Sequence, residues 1–525
     1  MFLNEVNRTF ESVIDPSFQS KYDRWCERRE SKDAGHTPFA ADDELGDDFE
    51  ILVLRVCLLS IQSLPCPGYP AFGVLNTHLN QLENWFCSLA DELEASQKQE
   101  RKPSIVAVQH KLCHVCYLIK YAKVRACWSA LNAAIKEAHE TGLHRRDDNA
   151  AVDDLEMELR RQIFWNLYVW DRYMCVYFGF WPLIPEGYFD VELPRDLFRP
   201  LTATPGSVTT FTDRVYHIKI ARYITAFTSP PSWKADRHNA SLVAEFAQQF
   251  QVLVVDQLPS IYWLDNPDLR LDTVEPAIPR KRQFLHLAIY HTKASLYRAF
   301  ADPFNRLHVE TNTPPKHTPD LLALSHRRAY MDAICKAISC LVQLFASTTE
   351  KSGSAAEKLF LLPVWLIDAL ACLGVCFLSI QADERRLANQ GLQISPDQDL
   401  KCCLVTFLNT FDILRRGASR SAFVKKGLEA LETLYQIVYT SPCRELLLKS
   451  NEESEMATLG AFSVRGTEGT NFQLEHALVS LHAQEGPNPP TSDSLSLPEW
   501  LPSFLEKPDR AWIFQQKSFF SDLLS

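Results

Sequence analysis

The chain has 525 residues, 46% hydrophobic and 23% charged, with a formal net charge of −11. That is enough apolar material for a large core, and the acidic balance excludes a chain that holds nucleic acid through its overall charge. The fifteen cysteines are odd in number and scattered, which fits a reducing intracellular compartment better than a disulfide framework.

The start of the chain, MFLNEVNRTFESVIDPSF, interrupts its apolar residues with Asn4, Glu5, Asn7 and Arg8, so a signal peptide is not expected. A buried helix is predicted over 48–64, led in by the acidic run ADDELGDD. Over 74–93, Leu75, Leu79, Leu82, Phe86, Leu89 and Leu93 recur at alternating steps of four and three, one apolar stripe of an amphipathic helix. A helix over 104–120 carries HKLCHVC. Its His110, Cys113, His114 and Cys116 are of metal-ligand type, but no second pair nearby completes a tetrahedral set, and the spacing equally suits one helix face. No metal site and no cofactor are therefore expected.

The next helix, 124–141, ends in ETGLHRRDDN. Gly142 can turn left-handed at little cost, Leu143 stands where such a cap places an apolar contact, and His144, Arg145 and Arg146 follow a helix C-terminus, where the dipole favours cations. His139 and His144 are five apart across a glycine and cannot form the i, i+4 pair of a zinc-protease helix. A long helix over 153–178 is predicted to begin at Asp153, with Glu156 completing a capping box. Leu155, Leu159, Ile163, Leu167, Trp170, Met174 and Phe178 make one stripe; Arg161, Trp165, Tyr168 and Arg172 make a second. Glu156 can pair with Arg160 and Glu158 with Arg161, and Arg161 can lie over Trp165. Apolar residues on two faces mark a central helix whose arginines are tied into its own architecture. Gly179 ends it and Pro182 prevents a restart.

This stretch resembles the middle homology region of the fungal-specific transcription factors, regulators that usually carry an N-terminal zinc binuclear cluster. The matching residues are Gly142, Leu143, His144 and Arg145, then Glu158, Arg160, Arg161, Phe164, Trp165, Asp171, Arg172, Gly179, Leu193 and Pro194. Gln162 replaces a third arginine, and Phe180-Trp181 stand where the family tends to have Arg-Pro. Similarity also touches residues 2–25, the segment FLHLAIYHTKASLYRAF and the 359–380 helix, about residues 1–445 in all. The resemblance implies a nuclear transcription regulator, not an enzyme, with the quoted residues as a structural and regulatory motif. It also implies association with another transcription factor or a second copy. The six-cysteine cluster has no counterpart, so DNA is expected to be reached only through a partner or a missing module. A biosynthetic, secondary-metabolite gene cluster is the expected target.

Further helices are predicted over 211–229, 241–259, 278–301, 320–347, 399–414 and 422–449. The apolar run 359–380 is long enough for a membrane, but Asp368 sits at its middle and Pro363 near its start, so it reads as the most buried helix of a soluble bundle. CLGVC and the Cys402-Cys403 pair read as core cysteines. The fold class is all-α, a large multi-helix regulatory domain over 1–450, then a loosely ordered polar, Pro-rich segment over 451–499 and an aromatic segment over 500–525. No nucleophile elbow, phosphate loop or dinucleotide fingerprint occurs. The aromatic residues Trp165, Tyr168, Trp170, Tyr177 and Trp181 would suit a pocket for a small-molecule effector, with plain core packing as the rival reading.

Overall fold

In the computed structural model, apolar residues at helical spacing are folded into thirteen α-helices among the described residues. It describes residues 7, 13, 15–33, 46–62, 79–97, 101–120, 123–146, 154–195, 212–228, 240–273, 275, 277–301, 321–352, 361–389, 398–417 and 422–440. The helices are α1 (Asp15–Asp33), α2 (Asp47–Gln62), α3 (Leu79–Ser96), α4 (Ile105–Lys120), α5 (Val124–Glu140), α6 (Asp154–Phe178) and α7 (Thr212–Thr228). They continue with α8 (Ala240–Phe250), α9 (Ile278–Ala301), α10 (Leu321–Ser352), α11 (Leu361–Asn389), α12 (Gln398–Gly417) and α13 (Ala422–Tyr439). The described residues contain no strand. The described residues up to Val438 belong to one compact unit; the segments 451–499 and 500–525, with Asp153 and Leu75, lie outside the described residues.

Packing follows chain order. Helix α2 lies against α3 and α4, α4 against α5, α5 against α6, and α6 against α7. Helices α7, α9, α10, α11 and α12 continue the stack. One core gathers Phe49, Leu52, Leu112, Leu131, Leu143, Trp165 and Tyr168. A second, built on α7 to α9, gathers Ile220, Ile224, Phe250, Tyr262, Leu285 and Leu296. The 359–380 run becomes the buried face of α11, with Leu366, Ile367, Leu370, Leu373, Phe377 and Ile380 all sealed. No helix among the described residues is long and apolar enough to cross a membrane.

Two expectations are corrected, and one helix was not expected. Helix α1 is not announced by periodicity: its sequence, DPSFQSKYDRWCERRESKD, is mostly polar. What holds it is a run of aromatic rings, Phe18 on Phe49 and on Tyr22, and Tyr22 on Trp25. The helix expected over 241–259 is interrupted, because α8 passes into a π-helical turn over Gln251–Val255. The wider turn carries Val252 and Leu253 to the surface, each about half exposed, and Pro259 precedes a short 3-10 turn at Ser260–Tyr262. The last helix closes at Tyr439, ten residues before the expected 449.

Charge is buried in the first core. The Arg55 guanidinium is fully enclosed and donates to Asp91 at 2.6 Å. Asp48 accepts from Ser104 at 2.5 Å, Gln97 at 2.6 Å and Arg101 at 3.3 Å. Burial alone would raise its pKa, but those bonds and the nearby His110 hold the carboxyl well below the usual range.

Candidate functional site

The α5–α6 junction is built from backbone upward. Gly142 has φ +70°. Its N–H reaches the His139 carbonyl at 3.1 Å, and the Leu143 N–H reaches Ala138 at 2.9 Å. That pair of bonds is a Schellman cap, which needs a left-handed residue between helix and exit. Leu143 then drops into the core. Arg160 donates to the Thr141 carbonyl at 2.9 Å, so α6 closes the cap of α5.

Past Gly179 (φ +65°), residues 179–195 run back along α6 as an antiparallel strap. Its register is fixed by side chains. The Asp171 carboxylate accepts the Leu183 N–H at 2.8 Å and the Ile184 N–H at 3.0 Å. Trp165 Nε1 donates to the Glu192 carbonyl at 2.8 Å, and the Arg195 N–H donates to Glu158 at 2.8 Å. Arg172 is sealed; it pairs with Asp171, donates to the Ile184 carbonyl at 2.7 Å and to Glu186 at 3.0 Å, and reaches Thr225 of α7. Its guanidinium also lies 4.3 Å from the centre of the Tyr168 ring. Burial alone would lower the Arg172 pKa, but Tyr168, Asp171 and Glu186 outweigh it and raise it. Burial pushes the Tyr168 phenol up to about 12, and its hydroxyl bonds to Glu186.

Acids of the strap and of α6 hold Arg146, Arg160 and Arg161. Arg161 reaches Glu192 at 3.0 Å and Glu158 at 3.5 Å, and Arg146 reaches Glu192 at 3.3 Å. Arg160 stands 4.0 Å from Glu156. The Arg146 N–H is held by Asp190 at 2.7 Å. The motif residues Gly142, Leu143, Arg160, Glu158, Arg161, Trp165, Asp171, Arg172 and Gly179 are thereby brought into one hydrogen-bonded frame, in which Arg145 stays exposed, as does Leu193 before Pro194. Sequence reading missed Glu186, Asp190, Glu192, Thr225 and Arg195. The alternation of acids in PEGYFDVELPR opposite the arginines of α6 was the available signal; Thr225 had none, since its role depends on how α7 packs.

Other expectations are revised. The cation over Trp165 is Arg222 of α7, 5.4 Å from the ring centre, while Arg161 is drawn off by the acids. Leu155, placed on the apolar stripe, is 48% exposed, because the stripe meets its neighbours only from Leu159 onward. His139 and His144, though not one helical turn apart, come to 4.7 Å between ring centres because the Schellman turn folds the chain back. Groups of three His, Cys, Asp or Glu arranged for a metal do not occur among the described residues. His110, Cys113 and Cys116 are buried in the first core, and burial, with Arg55 nearby, holds His114 down to about 4. The five aromatics do not share one chamber. Trp165 and Tyr168 pack with Phe164 and Phe189, Tyr177 stacks elsewhere on Trp365, and Trp181 is 59% exposed.

Residues 1–220 match the fungal specific transcription factor domain. The chain is similar to a probable transcription factor of Alternaria solani, 26% identical over 309 residues, covering 57% of this chain and 51% of the relative. It is similar to a transcription factor of Penicillium rubens, 22% identical over 303 residues, covering 55% and 43%. It is also similar to activator of stress genes 1 of Saccharomyces cerevisiae, 23% identical over 262 residues, covering 47% and 26%. The chain thus spans about half the length of the first two relatives and about a quarter of the third. No solved structure matches it.

Proposed function

From the premise that residues 1–220 belong to the fungal specific transcription factor domain family, we propose that this chain is the helical regulatory body of a nuclear transcription regulator. It acts on DNA through a partner, either another transcription factor or a second copy, or through a zinc-cluster module joined to it. Its targets are the genes of a biosynthetic, secondary-metabolite cluster. The observation that carries the reading is the fate of the motif's cations. Arg160, Arg161 and Arg172 are bound to Thr141, Glu192 and Asp171 of the chain itself. A guanidinium committed to a carboxylate or a backbone carbonyl gives little to a phosphate. What this body supplies is a rigid frame for association and signal relay, consistent with the transcription factors it resembles.

Chromatin mapping of the tagged protein in its own cell, with transcript profiling after deletion, tests the reading. Nuclear signal at promoters of clustered biosynthetic genes, with those transcripts altered, is the expected result. Exclusion from the nucleus with unchanged transcripts contradicts it.

A further inference from the structure

Where the first core meets the second, Tyr177 of α6, His291 of α9 and Trp365 of α11 meet around one point. The Tyr177 and Trp365 rings stack at 5.2 Å and 25°. His291 stands edge-on to Tyr177 at 4.7 Å and 6.3 Å from Trp365. Tyr173 closes the next side, 5.8 Å from Tyr177. Two features mark this cluster. All four residues keep some exposed area, though none is an exposed surface residue. Yet Trp365 Nε1 and His291 Nε2 are shut off from solvent with no hydrogen-bond partner, a state that costs free energy and is rare in folded proteins.

We infer that this junction is a binding site for a flat, uncharged aromatic or conjugated molecule bearing a carbonyl oxygen. The Tyr177–Trp365 pair, already stacked on each other, would extend that stack to the ligand through a face turned away from the pair. Trp365 Nε1 can only donate, so the ligand must bring an acceptor to it. His291 Nε2 serves the same oxygen as donor, or a hydroxyl beside it as acceptor. Burial, with Arg298 as a secondary cause, holds the His291 imidazole down to about 4, so it is neutral near pH 7 and the pocket favours an uncharged guest. Aromatic walls with a few convergent polar atoms are the usual form of small-molecule sites between helices. Because the three rings come from α6, α9 and α11, an occupant would tie the strap-bearing helix to the second half of the unit. This goes beyond the transcriptional reading, and it stands or falls without it.

The test uses 6-propionyl-2-(dimethylamino)naphthalene, a neutral flat ketone whose emission shifts to the blue in apolar surroundings. Titrated with the full chain, it is expected to show saturable one-to-one binding. Trp365→Phe keeps the ring and removes the N–H; His291→Leu removes the imidazole. Each should weaken binding about 5–10-fold with the melting curve retained. Should one variant fail to fold, the other carries the same comparison. No saturable binding, or binding that both folded variants keep undiminished, overturns the site. The titration involves no DNA and no cell, so its failure leaves the regulator reading standing, and a failed chromatin experiment leaves the site standing.

Discussion

Gly142 and Asp171 each do something no other residue type does as well at their positions. At φ +70°, a Cβ on Gly142 meets only Arg160, at 3.9 Å, so the penalty for replacing it is conformational rather than steric. Gly142→Val should destabilise the fold by at least ~1 kcal/mol in denaturant titration; an unchanged midpoint would mean the cap does not govern the junction. Asp171 is costlier to remove. Its carboxylate is buried, holds two strap N–H groups and faces Arg172. Asp171→Ala leaves that guanidinium only the part-exposed Glu186 carboxylate and takes the acceptor from both strap N–H groups, and a loss of ~3–5 kcal/mol is expected. The exposed pair Arg145→Ala with Arg146→Ala should move stability by no more than ~0.5 kcal/mol.

The strap, the π-helical turn and the close-packed glycine of α11 belong to the scale of elements. A Cβ on Gly374 would stand 2.8 Å from Leu434 and 3.0 Å from Phe407, so α13 and α12 approach α11 over a position with no side chain. Gly374→Val should cost ~1–3 kcal/mol by overpacking, measured as a lowered unfolding midpoint. Much at this scale was legible in the sequence. The helix over 153–178 was given away by its two stripes, and the cap of α5 by Gly142. What stayed hidden has physical reasons. Helix α1 is held by ring contacts to α2, which no periodicity reports. The π turn at Gln251 leaves the apolar residues Val252 and Leu253 on the surface, against the pattern that predicted a continuous helix. The roles of Glu186 and Glu192 exist only once the strap doubles back, so their meaning is tertiary. Trp365 and His291 are separated by the whole of α10 and meet only through packing.

Taken whole, the body stores pH sensitivity in its buried histidines. His114 and His291 are each held down to about 4, mainly by burial, against an ordinary 6.5. The folded state keeps them neutral, so the unfolded chain takes up protons first as acid is added. Their contribution is intact above pH 6.5 and is lost as pH falls from there toward 4, by up to ~3 kcal/mol per ring. Asp48, whose carboxyl is lowered, adds a loss at still lower pH. Denaturation midpoints at pH 7.5 and 5 should therefore differ, and His291→Leu should flatten the difference; a midpoint independent of pH would contradict this. The central claim is that the basic motif serves the body's own frame and does not grip a polynucleotide. Fluorescence anisotropy of the purified chain with a labelled duplex at low salt measures it most directly. No saturable binding at micromolar protein is the predicted result. Tight, salt-dependent binding that Arg145→Ala, Arg146→Ala weakens without loss of stability would contradict it.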